Sequence, residues 1–144
     1  MEYILQVFTG GWKQPLYTSE AIIERISGIK NTIQVKSVII GWNTDADLYR
    51  SVNAFLHNSG ITSYLWLPVF SETGELFPSK QAIDIYGNVI GSLALQEGEN
   101  FTFYCPSSEE NIRNVLHIYE TYFSYCGFDG VFLDKIRSQS FVSG

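Results

Sequence analysis

The chain is most constrained by a regular alternation of short apolar runs with segments of helical periodicity. The apolar runs are Tyr3–Phe8, Val35–Ile40, Ser63–Phe70 and Gly130–Leu133. They lack the regular polar alternation of a half-exposed strand, which is typical of strands that helices cover. Strands that alternate with helices join by right-handed crossovers, so the pattern predicts an α/β fold of parallel strand–helix units.

Three helices are predicted between these strands. The first follows Thr18, after which isoleucines recur at helical spacing. The second starts with a capping-box pair at the ends of Thr44–Asp47 and closes at Gly60, where a left-handed residue suits a helix end. The third starts with the capping-box pair of Ser107–Glu110. Its predicted apolar face consists of Ile112, Val115, Leu116, Tyr119 and Phe123.

Residues 71–102 interrupt this rhythm. The segment is long for a connection between a strand and a helix, and it contains several glycines. Ile83–Tyr86 and Val89–Ile90 flank Gly87-Asn88, a pair that suits a tight hairpin turn. We therefore predict one α/β domain over residues 1–144, with a hairpin-containing excursion at about residues 71–102.

Two architectures fit this pattern. A TIM-type barrel needs about 250 residues, so 144 residues supply roughly its first four strands, a half-barrel. A flavodoxin-like open sheet with helices on both faces would be complete at this length. Such a sheet usually has a Gly-rich phosphate turn after its first strand, and Thr9–Trp12 (TGGW) matches neither the dinucleotide fingerprint nor the P-loop. The C-terminal residues, described next, make the half-barrel the first expectation, and the open sheet is the alternative.

The C-terminal region carries a specific pattern. Tyr125–Arg137 reads YCGFDGVFLDKIR, and Cys105–Glu110 (CPSSEE) precedes the third helix. The first segment resembles the fourth strand of glycoside-hydrolase-like TIM barrels, several families of which carry a pattern of the form (Y/F)DG(I/V)xLDxIR. The second resembles the segment that such proteins place ahead of the preceding helix. The resemblance implies a sugar-processing barrel whose chain continues through the remaining strands.

Asp134 is the main candidate for chemistry. Side chains alternate along a strand, so Phe132 and Asp134 share a face, and the C-terminal end of a barrel strand is where reactive groups lie. The resemblance implies that Asp134 is a catalytic nucleophile or a substrate-anchoring carboxylate. The alternative is a structural carboxylate paired with Arg137 or Lys135. Asp129, at the start of the strand, is interpreted as a residue that fixes the preceding turn.

The ends of the other strands offer groups that could bind a sugar. Trp12 and Trp42 follow the first and second strands and could form an aromatic wall, although tryptophan more often lies in the core. Asn43 could bond a hydroxyl or help to cap the following helix. Arg137 could bind an acidic group of a substrate or neutralise Asp134.

Glycoside hydrolysis requires two carboxylates, roughly 5 to 9.5 Å apart across the scissile bond. Asp134 is the one strong candidate in the sequence, and Glu72 or Glu75 in the excursion are weak candidates for the second. The catalytic set therefore looks incomplete, and whether the chain is an enzyme stays open. The sequence shows no metal-ligand spacing and no Ser-His-Asp pattern, so neither a metal nor a cofactor is expected.

Charge and cysteine content limit the partners and the compartment. The net charge is −6 and no basic run occurs, which disfavours nucleic acid and anionic membrane surfaces as partners. No apolar stretch approaches the roughly 20 residues that cross a bilayer, and no signal peptide is apparent. A cytoplasmic location is therefore expected, with Cys105 and Cys126 as reduced thiols.

The first functional expectation is thus a glycoside-hydrolase-like sugar-processing protein or fragment, with carbohydrate as its partner. The alternative is a non-catalytic carbohydrate-binding or assembly module. The outer strands of a half-barrel are unpaired and invite pairing, so a homodimer or a complex with the missing half of the barrel is expected. A flavodoxin-like domain that binds a phosphorylated ligand is the third possibility.

Overall fold

The computed structural model describes residues 1–89 and 102–136. The chain divides into two compact units. Unit 1 consists of Met1–Leu67 and Tyr119–Phe132, and unit 2 of Pro68–Ile118 and Leu133–Gly144. Ile90, at the end of the predicted hairpin, and Arg137 lie outside the described residues.

The elements follow the predicted alternation. In chain order they are β1 (Glu2–Phe8), β2 (Gly10–Gly11), β3 (Gln14–Pro15), α1 (Ser19–Lys30), β4 (Gln34–Gly41), α2 (Ala46–Asn58), β5 (Thr62–Pro68), a 3₁₀ turn (Thr73–Glu75), α3 (Glu109–Ile118), a π-helical turn (Tyr119–Phe123) and β6 (Gly130–Asp134). Among the described residues, β1, β4, β5 and β6 form one parallel sheet, and β2 pairs with β3 in a short antiparallel ribbon. The predicted α/β class with a parallel sheet is confirmed.

The strands lie across the sheet in the order in which they occur in the chain, β1-β4-β5-β6. Right-handed crossovers between successive neighbours all wind in one direction and place their helices on one face. A doubly wound sheet requires a reversal of strand order, and the described strands have none. This winding favours a barrel segment and is also compatible with an open sheet.

The two faces of the sheet in unit 1 differ in burial. The register places Val38 of β4 between Leu5 of β1 and Ser63 of β5 on the face that α1 and α2 cover. Buried residues on this face are Val38, Ile40, Ser63 and Leu65. On the opposite face, Ile4 and Tyr64 are exposed. Helices therefore cover one face much more completely than the other, as they do in the wall of a barrel.

The start of α2 differs from the prediction. Asp45 is the N-cap, and its carboxylate accepts hydrogen bonds from the backbone N–H groups of Asp47 and Leu48. Thr44 donates its hydroxyl to the backbone carbonyl of Trp12 at 2.7 Å and does not cap the helix. The predicted Thr44–Asp47 box was therefore wrong by one residue, because Thr44 forms a long-range bond that the local pattern does not reveal.

The start of α3 is also shifted by one residue. Ser108 accepts a hydrogen bond from the backbone N–H of Asn111, the position that was predicted for Ser107. Two residues of the predicted apolar face, Ile112 and Leu116, are exposed, whereas Asn111 and Ile118 are buried. The buried face of α3 is thus rotated from the face that apolar spacing predicts, because the Asn111 side chain satisfies three backbone groups in the interior of unit 2.

Candidate functional site

Three aromatic rings meet near the carboxyl ends of β1, β4 and β5 in unit 1. The ring centroid of Trp42 lies 5.3 Å from that of Phe8 and 5.6 Å from that of Trp66, both in edge-to-face geometry. Phe8 is exposed, and the two tryptophans are half-buried. This aromatic cluster (Phe8, Trp42, Trp66) presents ring surface at the end of the sheet where α/β proteins bind ligands.

Trp12 lies beneath this cluster and not beside it. Its ring centroid is 6.4 Å from that of Trp42 and 6.5 Å from that of Phe123, and only 2% of the residue is exposed. The geometry supports the core interpretation of Trp12, since a ring with this burial has no face open to a sugar. A sugar contact by Trp12 stays a prediction that would require the surrounding residues to move.

Asn43 is equally buried and links three backbone segments of unit 1. Its side-chain amide donates to the carbonyl of Gly11 at 3.0 Å, and its carbonyl accepts from the N–H of Asp45 at 2.7 Å. Its backbone N–H donates to the hydroxyl of Thr9, which also lies 3.0 Å from the buried Tyr49 hydroxyl. These bonds support the structural alternative for Asn43, and the predicted contact with a sugar hydroxyl stays a prediction.

Asp134 is the last residue of β6 and belongs to unit 2. Its carbonyl accepts from the N–H of Val69 at 2.9 Å, and its carboxylate accepts from the N–H of Lys135 at 2.7 Å. The side chain is half-buried at the carboxyl end of a parallel strand. This is the strand position that the sequence predicted for a reactive carboxylate.

Lys135 extends from Asp134 to a second carboxylate. Its ammonium Nζ lies 3.3 Å from Oε1 of Glu72, with the two side chains 11% and 30% exposed. Both residues have left-handed backbones, with φ of 52° for Lys135 and 66° for Glu72. A non-glycine residue in that region costs about 1–3 kcal/mol, and such residues cluster at functional sites. Lys135 thus contacts Asp134 through its backbone and Glu72 through its side chain.

Glu72 also lines a cleft in unit 2 of about 340 Å³. The cleft is lined by Glu72, Gly74, Glu75, Thr102 and Tyr104. The Tyr104 hydroxyl accepts from the N–H of Gly74 at 2.9 Å, and burial raises the pKa of this phenol. The volume lies at the lower end of the range for ligand pockets, about 300–1,000 Å³. Two carboxylates and a phenol therefore border a space that suits a small hydroxyl-bearing ligand.

A further carboxylate, Asp129, holds the opposite end of the strands. Its Oδ2 accepts from the N–H of Ser63 at 2.8 Å and lies 3.0 Å from Nε2 of His57. The Ser63 N–H, and after it His57, lower the pKa of Asp129. Because these contacts join the start of β5, the end of α2 and the turn before β6, Asp129 serves the structure, as its sequence position indicated.

The remaining predictions concern groups that the structure describes only in part. Arg137 lies outside the described residues, so its predicted role in binding stays a prediction. Within residues 1–89 and 102–136, no group of His, Cys, Asp and Glu side chains is arranged to hold a metal ion. In the same ranges, no helix has both the length and the apolar character that crossing a bilayer demands.

Sequence reasoning missed several features of the aromatic cluster and of the cleft in unit 2. Thr102 was placed at the end of the excursion and Tyr104 was given no role, although residues two apart share a face of extended chain. The same alternation along β5 places Trp66, a residue near the end of that strand, with Tyr64 on the face opposite the helices. The contact between Lys135 and Glu72 had no local signal, because the two residues lie 63 positions apart.

Comparison with known proteins leaves the class of protein at the level of the fold. No family model matches the chain, and no curated protein matches it. The resemblance of Tyr125–Arg137 to glycoside-hydrolase-like barrels therefore rests on the residues of this chain alone and stays a prediction.

Proposed function

We propose that the protein is a glycoside-hydrolase-like, sugar-processing α/β protein in which Asp134 acts as nucleophile or substrate anchor. One observation carries the proposal: Lys135 bridges two carboxylates, through its backbone N–H to Asp134 and through its ammonium to Glu72. Glu72 in turn borders the cleft of unit 2 with Glu75 and Tyr104. Asp134 and Glu72 are the proposed pair of carboxylates for glycoside hydrolysis, and their shared contact with Lys135 supports this pairing.

Glu72 is the proposed second carboxylate. One carboxyl group of such a pair protonates the leaving oxygen, while the other attacks the anomeric carbon or activates a water molecule. Lys135 aligns Glu72 with Asp134 by holding both. Glu75 borders the same cleft and is the next candidate for the acid.

Carbohydrate is the proposed ligand, and the aromatic cluster of unit 1 supports it. The faces of Trp42 and Trp66 can contact the apolar face of a sugar ring, and Phe8 adds exposed ring surface. Trp42 is the predicted binding residue whose partial exposure supports a contact with a ligand. The ring of Trp12 packs beneath that of Trp42. Asn43 holds the adjacent backbone by donating a hydrogen bond to the carbonyl of Gly11.

The experiment compares the wild-type chain with Asp134→Asn, Glu72→Gln and a control, Glu109→Gln, on a panel of 4-nitrophenyl α- and β-glycosides. Glu109 is an exposed carboxylate at the start of α3, so its amide variant tests the loss of charge alone. We expect Asp134→Asn and Glu72→Gln each to lose at least about 100-fold in kcat/KM, as removal of a catalytic acid or base does. Absence of turnover by the wild type, or equal turnover by Asp134→Asn, would contradict the proposal.

A second candidate function is a non-catalytic carbohydrate-binding module. The observation that favours it is the engagement of the Asp134 carboxylate with the backbone of Lys135, a bond that a structural aspartate also makes. Calorimetric titration with the free sugars and the corresponding disaccharides separates the two candidates. Binding that weakens in Trp42→Ala and is unchanged in Asp134→Asn, without turnover, would favour this module over the hydrolase.

A further inference from the structure

Most of the exposed large apolar side chains of the sheet in unit 1 lie on its outer strands, and Tyr64 of the inner strand β5 is the exception. In unit 1, Ile4 of β1 is 63% exposed and Phe132 of β6 is 42% exposed. Val38 and Leu65 of the inner strands are 0% exposed. The other exposed apolar residues of the outer strands in this unit are Tyr3, Phe8 and Val131. The apolar exposure is therefore concentrated on the two outer strands.

Both faces of each outer strand share this exposure. Tyr3 and Ile4 are consecutive, as are Val131 and Phe132, and consecutive residues of a strand point to opposite faces. A free edge in a soluble protein is usually protected by lysine, proline or a short length. β1 has seven residues without lysine or proline, and its only internal polar residue is Gln6. Apolar side chains on both faces are typical of a strand that a partner covers, because water solvates such side chains poorly.

We propose that a second copy of this chain pairs with these edges, β1 of each copy lying parallel to β6 of the other. The strands of the sheet are parallel and lie in chain order, so its two edges are a first and a last strand with the same direction. The last strand of one copy can therefore pair with the first strand of another copy in the parallel orientation. The same junction formed twice around a two-fold axis satisfies all four edges.

The number of strands in the described sheet supports a second copy as the occupant. Two such sheets supply eight parallel strands, the number at which a sheet of strand–helix units closes around an interior filled by side chains. The less covered face of the sheet, which carries Ile4 and Tyr64, would become that interior. An unrelated partner would have to supply both an opening and a closing parallel strand, whereas a second copy has them. This inference does not depend on any sugar chemistry.

The solution mass of the full chain tests the proposal. We expect light scattering during gel filtration, at about 10–100 µM, to give twice the chain mass of 16.3 kDa. Ile4→Lys on β1 and Phe132→Lys on β6 should each give the single mass, since every junction uses both strands. Ile85→Lys is the matched control, because Ile85 is an exposed isoleucine outside the sheet, and it should remain dimeric.

A second measurement covers the case in which a lysine variant does not fold. In the wild type, the amide hydrogens of β1 and β6 should exchange at least several-fold more slowly at high than at low protein concentration, while those of β4 should not change. A monomer at about 100 µM, an assembly larger than a dimer, dissociation by Ile85→Lys, or exchange at β1 and β6 that is independent of concentration would each overturn the proposal.

Discussion

Thr9 follows β1 with a hydroxyl that serves two partners in a space closed to water. Its Oγ1 accepts from the N–H of Asn43 at 3.1 Å and lies 3.0 Å from the hydroxyl of Tyr49, and both Thr9 and Tyr49 are fully buried. Burial raises the pKa of Tyr49, which keeps its phenol neutral and able to donate. A buried polar group without a partner costs about 1–3 kcal/mol, so the loss of one hydroxyl affects two further groups.

Thr9→Val keeps the shape of the side chain and removes this hydroxyl. We expect a loss of about 2–3 kcal/mol in the free energy of unfolding, because the Asn43 N–H and the Tyr49 hydroxyl both lose a partner. Tyr49→Phe should cost about 1 kcal/mol, since Thr9 still accepts from Asn43. Urea unfolding measures both against Thr32→Val, an exposed threonine. A loss for Thr9→Val no larger than that of Thr32→Val would show that the network contributes little.

Asp129 gives the stability of unit 1 a defined dependence on pH. Its folded-state pKa is lowered, so its contribution is complete above the unfolded value of about 3.9 and is lost as the pH falls through the folded value. Asp129→Asn should therefore be less stable than the wild type at pH 6, by at most about 1 kcal/mol because the carboxylate is partly exposed. The difference should shrink below pH 4 in chemical unfolding curves. A constant difference from pH 6 to pH 3 would rule out the ionised carboxylate as its cause.

At the scale of elements, the spacing of β4 and β5 depends on Gly41. A Cβ at this position would collide with the backbone carbonyl of Trp66 and lie 3.0 Å from the Trp66 Cβ. We expect Gly41→Ala to lower the free energy of unfolding by about 1–3 kcal/mol, as overpacking does. Gly28→Ala in α1 is the matched control, because its Cβ would meet no atom and alanine stabilises a helix by about 0.5–1 kcal/mol. The melting temperature should fall in Gly41→Ala and rise in Gly28→Ala. Equal melting temperatures for the two variants would contradict the close approach of Gly41 to Trp66.

The elements whose signals are local could be predicted from the sequence. Thr18 caps α1 by accepting from the N–H of Ala21, as its position before the isoleucine repeat indicated. Gly60 follows α2 with a φ of 70° and donates to the carbonyl of His57, so its predicted left-handed role is confirmed. In both cases the deciding partners lie within three residues, a distance over which sequence patterns hold.

The candidate site could be predicted only in outline, because its geometry depends on distant partners. The place of Asp134 at the end of a strand followed from alternation, but its link through Lys135 to Glu72 did not. Left-handed backbones are expected at glycine or asparagine, so nothing in the sequence marked Glu72 or Lys135 as such positions. The burial of Trp12 likewise depends on Phe123, more than a hundred residues along the chain.

At the scale of the whole molecule, the acidic surplus should oppose compaction at neutral pH. The chain has 15 acidic and 9 basic residues, and its isoelectric point is near 4.8. The ion pairs Lys36–Glu2, Lys80–Glu110 and Arg113–Glu109 are largely exposed, so each contributes little to stability. Salt weakens these pairs, but it also screens the repulsion among the surplus carboxylates, which acts over the whole surface.

We therefore expect the melting temperature of the full chain at low ionic strength to change with pH in two separate ranges. From pH 8 towards pH 5.5 the melting temperature should rise by a few degrees, because the net negative charge decreases. Below pH 4 it should fall, because Asp129 and other bonded carboxylates become protonated. Sodium chloride at about 0.5 M should reduce the rise between pH 8 and pH 5.5 and leave the fall below pH 4 unchanged, since hydrogen-bonded carboxylates are screened less than exposed charges. Calorimetric measurement of the melting temperature across this pH range tests the argument. A melting temperature that falls from pH 8 to pH 5.5 would show that the ion pairs outweigh the net repulsion. A melting temperature that drops when salt is added at pH 8 would show the same.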